Sequence, residues 1–264
     1  ENGSGKTTII RLITGLIFHQ GGSFELFGVK NTEKDINKAR RGIGAIVENP
    51  SIYLNMSAYD NLKQQCILLG KDEKQILPTL KEVGLENLYC EKKKAGDFSL
   101  GMRQRLGIAM ALLGEPEFLI LDEPMNGIDP AGIVGIRELI LRLNRERGIT
   151  FLISSHILTE LSLVATKYGI ISKGRLLKEI TAEQLHQECT KTTTFSAADP
   201  NALAECIRSA FPESVMKCTN EGVSLLGDID LNSILTAVLA ENIKLLSINC
   251  SQTSIEEYYL SVIG

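Results

Sequence analysis

Four consecutive apolar residues, Phe118-Leu119-Ile120-Leu121, run directly into Asp122-Glu123-Pro124. That stretch limits the possible folds most. A strand apolar on both faces must be covered on both faces, which is the position of a parallel strand between layers of helices. The two carboxylates then fall at the C-terminal edge of the sheet, where ligands bind in α/β folds. Before the strand, Phe98-Ser99-Leu100-Gly101-Met102 leads into a helix with Leu106, Met110 and Leu113 at helical spacing. Ser99 offers a hydroxyl at the helix start, Gly101 a close backbone approach, and the helix dipole favours an anion there. After it, Asp129-Pro130 supplies an N-cap and an N1 proline. The helix that follows carries Ile133, Ile136, Ile140 and Leu143 on one face and stops at Gly148.

The start of the chain supplies a second constraint. Asn2-Gly3-Ser4-Gly5-Lys6-Thr7-Thr8 is the back half of G-x-x-x-x-G-K-[ST]. Glycines in that pattern let successive backbone N–H groups turn inward on phosphate oxygens. Lys6 adds a point charge, and Thr7 a hydroxyl suited to Mg²⁺. A helix with Ile9, Ile10, Ile13, Leu16 and Ile17 on its apolar face is expected next, so the phosphates would also meet a helix N-terminus. The chain opens in mid-motif without methionine and reads as a fragment, with the first strands expected upstream.

Between these regions, Ser23 to Phe27 reads as a strand and Gly28 as a turn. Ile43 to Val47 reads as a short strand ending at Glu48-Asn49-Pro50. Residues 50–97 read as a helical insert. Its signals are a capping pattern at Ser57-x-x-Asp60, a second helix near Asp72 to Val83 holding Pro78, and a stop at Gly84. Lys92-Lys93-Lys94 reads as a solvated face. Ile149 to Ser155 reads as another buried strand, with His156 at its end. A hairpin is expected around Lys173-Gly174. From about residue 186 the pattern becomes β-α-β-β-α-β, with strands at Thr190–Phe195 and around Asn220-Glu221-Gly222, then a last helix capped by Ser254. The expected architecture is α/β, a P-loop NTPase with a mostly parallel sheet and helical insert over 1–185. A small α+β accessory domain is expected over 186–264.

Composition narrows the partners. A net charge of −4 argues against a nucleic-acid duplex as partner. Six scattered cysteines, with no C-x-x-C pair, suit reduced thiols in a cytosolic protein. No stretch reaches the ~18 apolar residues that a membrane span needs.

Taken in order, the Gly3–Thr7 loop, the Phe98–Met102 turn, Leu121-Asp122-Glu123-Pro124, Gly127-Ile128-Asp129-Pro130 and Ser155-His156 resemble the ATPase subunit of an ABC transporter over residues 1 to about 185. No guanine-reading N-K-x-D is present, since Asn37-Lys38-Ala39-Arg40 does not fit. The resemblance implies ATP and Mg²⁺ as cofactors and two ATPase subunits, identical or different, sandwiching two nucleotides. Asn2, Gly3, Ser4, Gly5, Lys6, Thr7 and Thr8 would hold one ATP, with Thr7, Asp122 and Glu48 toward the metal. Ser99 and Gly101 would close on the ATP of the partner subunit. Glu123 would be the catalytic base, His156 the switch residue, and Asp129 part of the loop that signals across the dimer. A transmembrane permease would hold the subunit on the cytoplasmic face of the membrane and dock a short helix on residues 50–97.

The chain departs from the family pattern in two places. Leu100 and Met102 stand where glycine and glutamine are usual, and Glu48 where a glutamine is usual. Glu48-Asn49-Pro50, with Tyr53, Asn55 and Asn61-Leu62, resembles the bacitracin and lantibiotic self-protection exporters, which implies efflux of a peptide antibiotic or similar amphiphile. One rival is a soluble ABC-type ATPase acting on ribosomes or DNA, and a single cassette with an acidic balance argues against it. The other is a weakly catalytic regulatory subunit, suggested by Leu100 and Met102 and opposed by Glu123 with His156.

Overall fold

The computed structural model describes residues 3–19, 21–189, 191–212, 214–219, 222–227 and 229–264. Asn2, Thr190, Asn220 and Glu221, each singled out in the sequence, lie outside them. The chain divides into two compact units: Glu1–Ala165 with Ile171–Leu176, and Thr166–Ile170 with Leu177–Gly264.

In the first unit, helix α1 spans Lys6–Thr14. Gly15 ends it in the left-handed conformation, so the helix is shorter than its apolar pattern suggested. Ile10 is buried, whereas Leu16 lies beyond the helix and is 64% exposed. Strands β1 (Glu25–Leu26) and β2 (Val29–Lys30) form a hairpin through Phe27 and Gly28, both at positive φ, the turn geometry that matches strand twist. A short helix α2 (Ile36–Ala39) precedes β3 (Ile43–Ile46).

The insert contains α3 (Ala58–Leu69) and α4 (Ile76–Glu82). Ser57 caps α3 by accepting from the Asp60 N–H at 3.1 Å. A 3₁₀ turn over Glu73–Gln75 leads into α4, so Pro78 sits in the first turn of α4, where a missing N–H costs little. Gly84 follows at φ 70°, the left-handed conformation of a helix stop.

Helix α5 (Leu100–Leu112) starts at Ser99 and packs into the core. Its sequence suggested one apolar stripe. Instead Gly101, Gln104, Leu106, Gly107, Ile108, Ala109 and Leu112 are all buried, while Met110 is half-buried. α5 therefore runs between layers and is covered on most sides, which small residues permit. A Cβ on Gly107 would lie 2.6 Å from Pro50 Cβ, so only glycine lets the loop after β3 rest on this helix.

β4 (Phe118–Asp122), α6 (Pro130–Arg147) and β5 (Thr150–Ser154) complete the centre. β3, β4 and β5 are parallel and adjacent in that order, with Ile46 opposite Leu121 and Asp122 opposite Ser154. β4 has Leu119, Ile120 and Leu121 fully buried. β5 was expected to be buried throughout. Among the described residues it is an outer strand, exposed at Thr150 and half-buried from there to Ser154. α7 (Leu158–Ser162) follows.

β6 (Lys167–Ser172) and β7 (Arg175–Thr181) form a hairpin through Lys173 and Gly174, both at positive φ. In the second unit, α8 (Ala182–Glu188) opens with a full capping box, Thr181 with Gln184. Then come β8 (Lys191–Ala197), α9 (Pro200–Ala210), β9 (Val215–Thr219), β10 (Gly222–Leu226), α10 (Leu231–Ala240), β11 (Leu245–Gln252) and α11 (Ile255–Ile263). The sheet order is β11-β8-β10-β9, with every pairing antiparallel, which is the split βαβ arrangement expected from the element order. Phe195, Val223 and Leu225 pack with Leu203, Ile207, Ile234 and Val238 of α9 and α10. Tyr258 of α11 packs instead with Ile170, Ile180, Leu185 and Cys189.

Candidate functional site

The parallel sheet delivers Asp122 and Ser154 side by side at its C-terminal edge, and α1 starts over that edge. Asp122 is buried, and its two oxygens are both used. Thr7 Oγ1 donates to Oδ2 at 2.8 Å, and Ser154 Oγ donates to Oδ1. A buried carboxylate needs such partners to satisfy its oxygens. Glu123 comes next, with the backbone turned to φ 52°. Its N–H donates to Ser154, to both the carbonyl oxygen and Oγ at 3.1 Å. The turn swings the Glu123 carboxylate out over the edge, where Lys6 Nζ lies 3.8 Å from Oε1 and His156 Nδ1 lies 2.7 Å from Oε2. The His156 backbone N–H also donates to Oε2 at 3.3 Å.

The loop before α1 has the shape of an anion cradle. Gly3 and Gly5 have φ of 76° and 106°, conformations that β-carbon-bearing residues resist. Ser4 is buried, and its Oγ has no hydrogen-bond partner among the described residues. The Ser4 carbonyl accepts from the Gly174 N–H at 2.9 Å, so the hairpin tip braces the loop. An orphaned hydroxyl, left-handed glycines, a lysine and a helix N-terminus together suit a polyphosphate. Thr7 Oγ1 against Asp122 is a pair of hard oxygen donors, the kind Mg²⁺ takes alongside phosphate oxygens. Thr8 is exposed on the first turn of α1.

The structure thus brings together Lys6, Thr7, Asp122, Glu123 and His156. Glu48, at φ 62° after β3, reaches Arg11 of α1 at 2.5 Å. Ser99 is exposed, and its Oγ accepts from the Met102 N–H at 3.2 Å. Gly101 is buried against Ile128 and Gly132, and Leu100 approaches Gly127. Asp129 caps α6 by accepting from the Gly132 N–H at 3.3 Å. Gly101 therefore packs against the start of α6, which Asp129 caps, while Ser99 caps α5, and the contacts described for these three are apart from the Lys6–Glu123 cluster. Two residues went unnoticed in the sequence. Ser154 is one; the register of β4 on β5 would have exposed it, since it lies opposite Asp122. Arg11 is the other, and its spacing of four from Thr7 is the only hint the sequence offers.

Known proteins place this geometry. The family model described as ABC transporter matches residues 1–126, and a model described as an AAA domain matches residues 91–162. The bacitracin transport ATP-binding protein BcrA of Bacillus licheniformis is 41% identical over 267 residues, covering 100% of this chain and 86% of that protein. The lantibiotic transport ATP-binding protein SrtF of Streptococcus pyogenes is 46% identical over 178 residues, covering 67% of this chain and 75% of that protein. The structure of cbiO1 from Clostridium perfringens, part of the ABC transporter complex cbiONQ, superposes with a TM-score of 0.63 at 25% identity, over 80% of this chain and 82% of that one. With a relative 41% identical along the whole of this chain, this chain belongs to the family of ABC transporter ATP-binding proteins.

Proposed function

We propose that this ABC ATPase drives export of a peptide antibiotic or a similar amphiphile through a separate membrane permease. The observation that carries the hydrolytic part is the Glu123 carboxylate, held out over the sheet edge between Lys6 and His156. There it is suited to take a proton from an attacking water, with His156 setting its orientation. Lys6 and the N–H groups of the Gly3–Thr8 loop would bind the phosphates of ATP. Thr7 and Asp122 would hold Mg²⁺, which supplies charge neutralisation on the phosphates when bound. Glu48 would approach the same metal.

The transported class rests on the names of the relatives, bacitracin and lantibiotic transport proteins. No helix among the described residues is long and apolar enough to cross a membrane. The proposed permease would supply the path through the bilayer. Residues 50–97 would receive that chain, placing this one against the inner face of the membrane. Ser99, exposed at the start of α5, and Gly101 would complete the nucleotide site of a second ATPase subunit, with Asp129 beside them. Residues 186–264 would serve as an accessory domain to the ATPase domain over 1–185.

The test is a pair of measurements on the chain co-produced with its permease. Glu123→Gln is expected to lower ATP turnover by ~10²–10³ while nucleotide binding is kept. It is also expected to abolish protection of the cells against bacitracin. Turnover equal to the parent would remove Glu123 from catalysis. Protection that survives the substitution would remove peptide-antibiotic export.

A further inference from the structure

Arg11 and Glu48 form a contact that the roles given so far leave unused. Arg11 Nη2 lies 2.5 Å from Glu48 Oε1, and the two side chains are 42% and 56% exposed. Position on α1 gives the pair its meaning. Arg11 is four residues after Thr7, hence on the same face one turn further along. Thr7 Oγ1 is already on Asp122 Oδ2. β3 and β4 are adjacent and parallel, so Glu48 and Asp122 leave the sheet at the same edge. One helix face thus carries both contacts, a hydroxyl on one carboxylate and a guanidinium on the other. The left-handed backbone at Glu48 sets the direction of its side chain.

We propose that Arg11 is a positioning residue for Glu48, an ion-pair latch that keeps this carboxylate on α1 and yields it when a divalent cation enters with the nucleotide. The inference rests on the ATPase reading and adds to it how the metal end of the site is controlled. A carboxylate at this position brings a full charge toward a centre that already holds Asp122 and Glu123. Arg11 neutralises that charge in the nucleotide-free chain. The latch must be weak to be useful, and an exposed pair is weak: it shifts an equilibrium by at most about fivefold. A cation can therefore outcompete it.

The full chain is titrated with Mn²⁺ in the presence of a non-hydrolysable ATP analogue, and bound metal is read by electron paramagnetic resonance. Nucleotide affinity is measured separately in EDTA. Arg11→Met keeps the apolar stem and removes the charge. It is expected to tighten Mn²⁺ binding by about two- to fivefold, with EDTA-state nucleotide affinity unchanged. Arg11→Lys is expected to stay close to the parent. The Arg11→Met effect should vanish in a Glu48→Gln background and shrink as ionic strength rises from about 0.05 to about 0.5 M. The latch is overturned if Arg11→Met weakens Mn²⁺ binding or leaves it unchanged. It is equally overturned if the same change appears in the Glu48→Gln background. Absence of EDTA-state nucleotide binding in the parent chain would strike the ATPase reading itself, and the latch with it.

Discussion

Ser154 holds the two adjacent carboxylates of β4 apart in role. Its hydroxyl donates to Asp122 and accepts from the Glu123 N–H, so one oxygen atom anchors the buried acid and fixes the turn that presents the half-buried one. Ser154→Ala is expected to lower stability by about 1–3 kcal/mol in urea unfolding, since a buried charged acceptor loses a partner. Turnover should fall by about tenfold to a hundredfold as Glu123 loses its alignment, with little change in nucleotide affinity. Unchanged turnover would show that the Ser154 carbonyl alone sets the turn. At this scale the sequence is uneven. Asp122 and Glu123 stand out because an apolar run points at them. Ser154 is hidden because strand ends are uncertain by a residue, and a shift of one exchanges the faces. Ser155, the serine beside His156, turns instead to cap the Ile157 N–H at 3.0 Å.

Helix caps are the elements that sequence reading places best. Ser57, Asp129 and Ser254 each accept from the N–H three residues on, a contact decided within one turn of chain. Interior burial is placed worst, because it depends on layers assembled from distant segments. That is why the surround of α5 and the half-open flank of β5 could not be read from periodicity. The insert carries a further example. Tyr59 and Lys63, one turn apart on α3, both bind Glu73 in the turn before α4, at 2.8 and 3.0 Å. The Tyr59 hydroxyl first, and then Lys63, hold the Glu73 carboxyl below its ordinary 4.5. A depressed acid contributes its stability above the ordinary value and loses it as pH falls through the folded one. Acid unfolding of the parent should therefore steepen below about pH 4.5, and Glu73→Gln should flatten that limb while costing stability at neutral pH. Parallel melting curves for the two proteins between about pH 6 and pH 3 would remove this triad from the account of acid stability.

Across the whole molecule, the six cysteines report on the two units separately. Cys66 is buried in the first, Cys189 and Cys206 are covered in the second, and burial pushes all three thiols up. Cys90, Cys218 and Cys250 are exposed. A maleimide should react quickly with those three in the native state and with all six in urea. Each unit has its own core, so Cys66 should become reactive at a different urea concentration from Cys189 and Cys206. Coincident transitions would mean that the chain unfolds as one. The hairpin of β6 and β7 was legible in the sequence, but not its sharing between the units, because a hairpin is local and a unit boundary is not.

The left-handed turns at Glu48 and Glu123 have a consequence for how such a protein changes over generations. Each holds a side chain where glycine would sit without strain, at roughly 1–2 kcal/mol. A laboratory screen that rewards heat resistance alone would favour glycine at both places. Its winners would be hardier proteins in which the two carboxylates had been deleted one after the other. On the roles proposed for Glu48 and Glu123 they would fold better and turn over no ATP, so only selection that tests the work of the chain would keep these glutamates where they are.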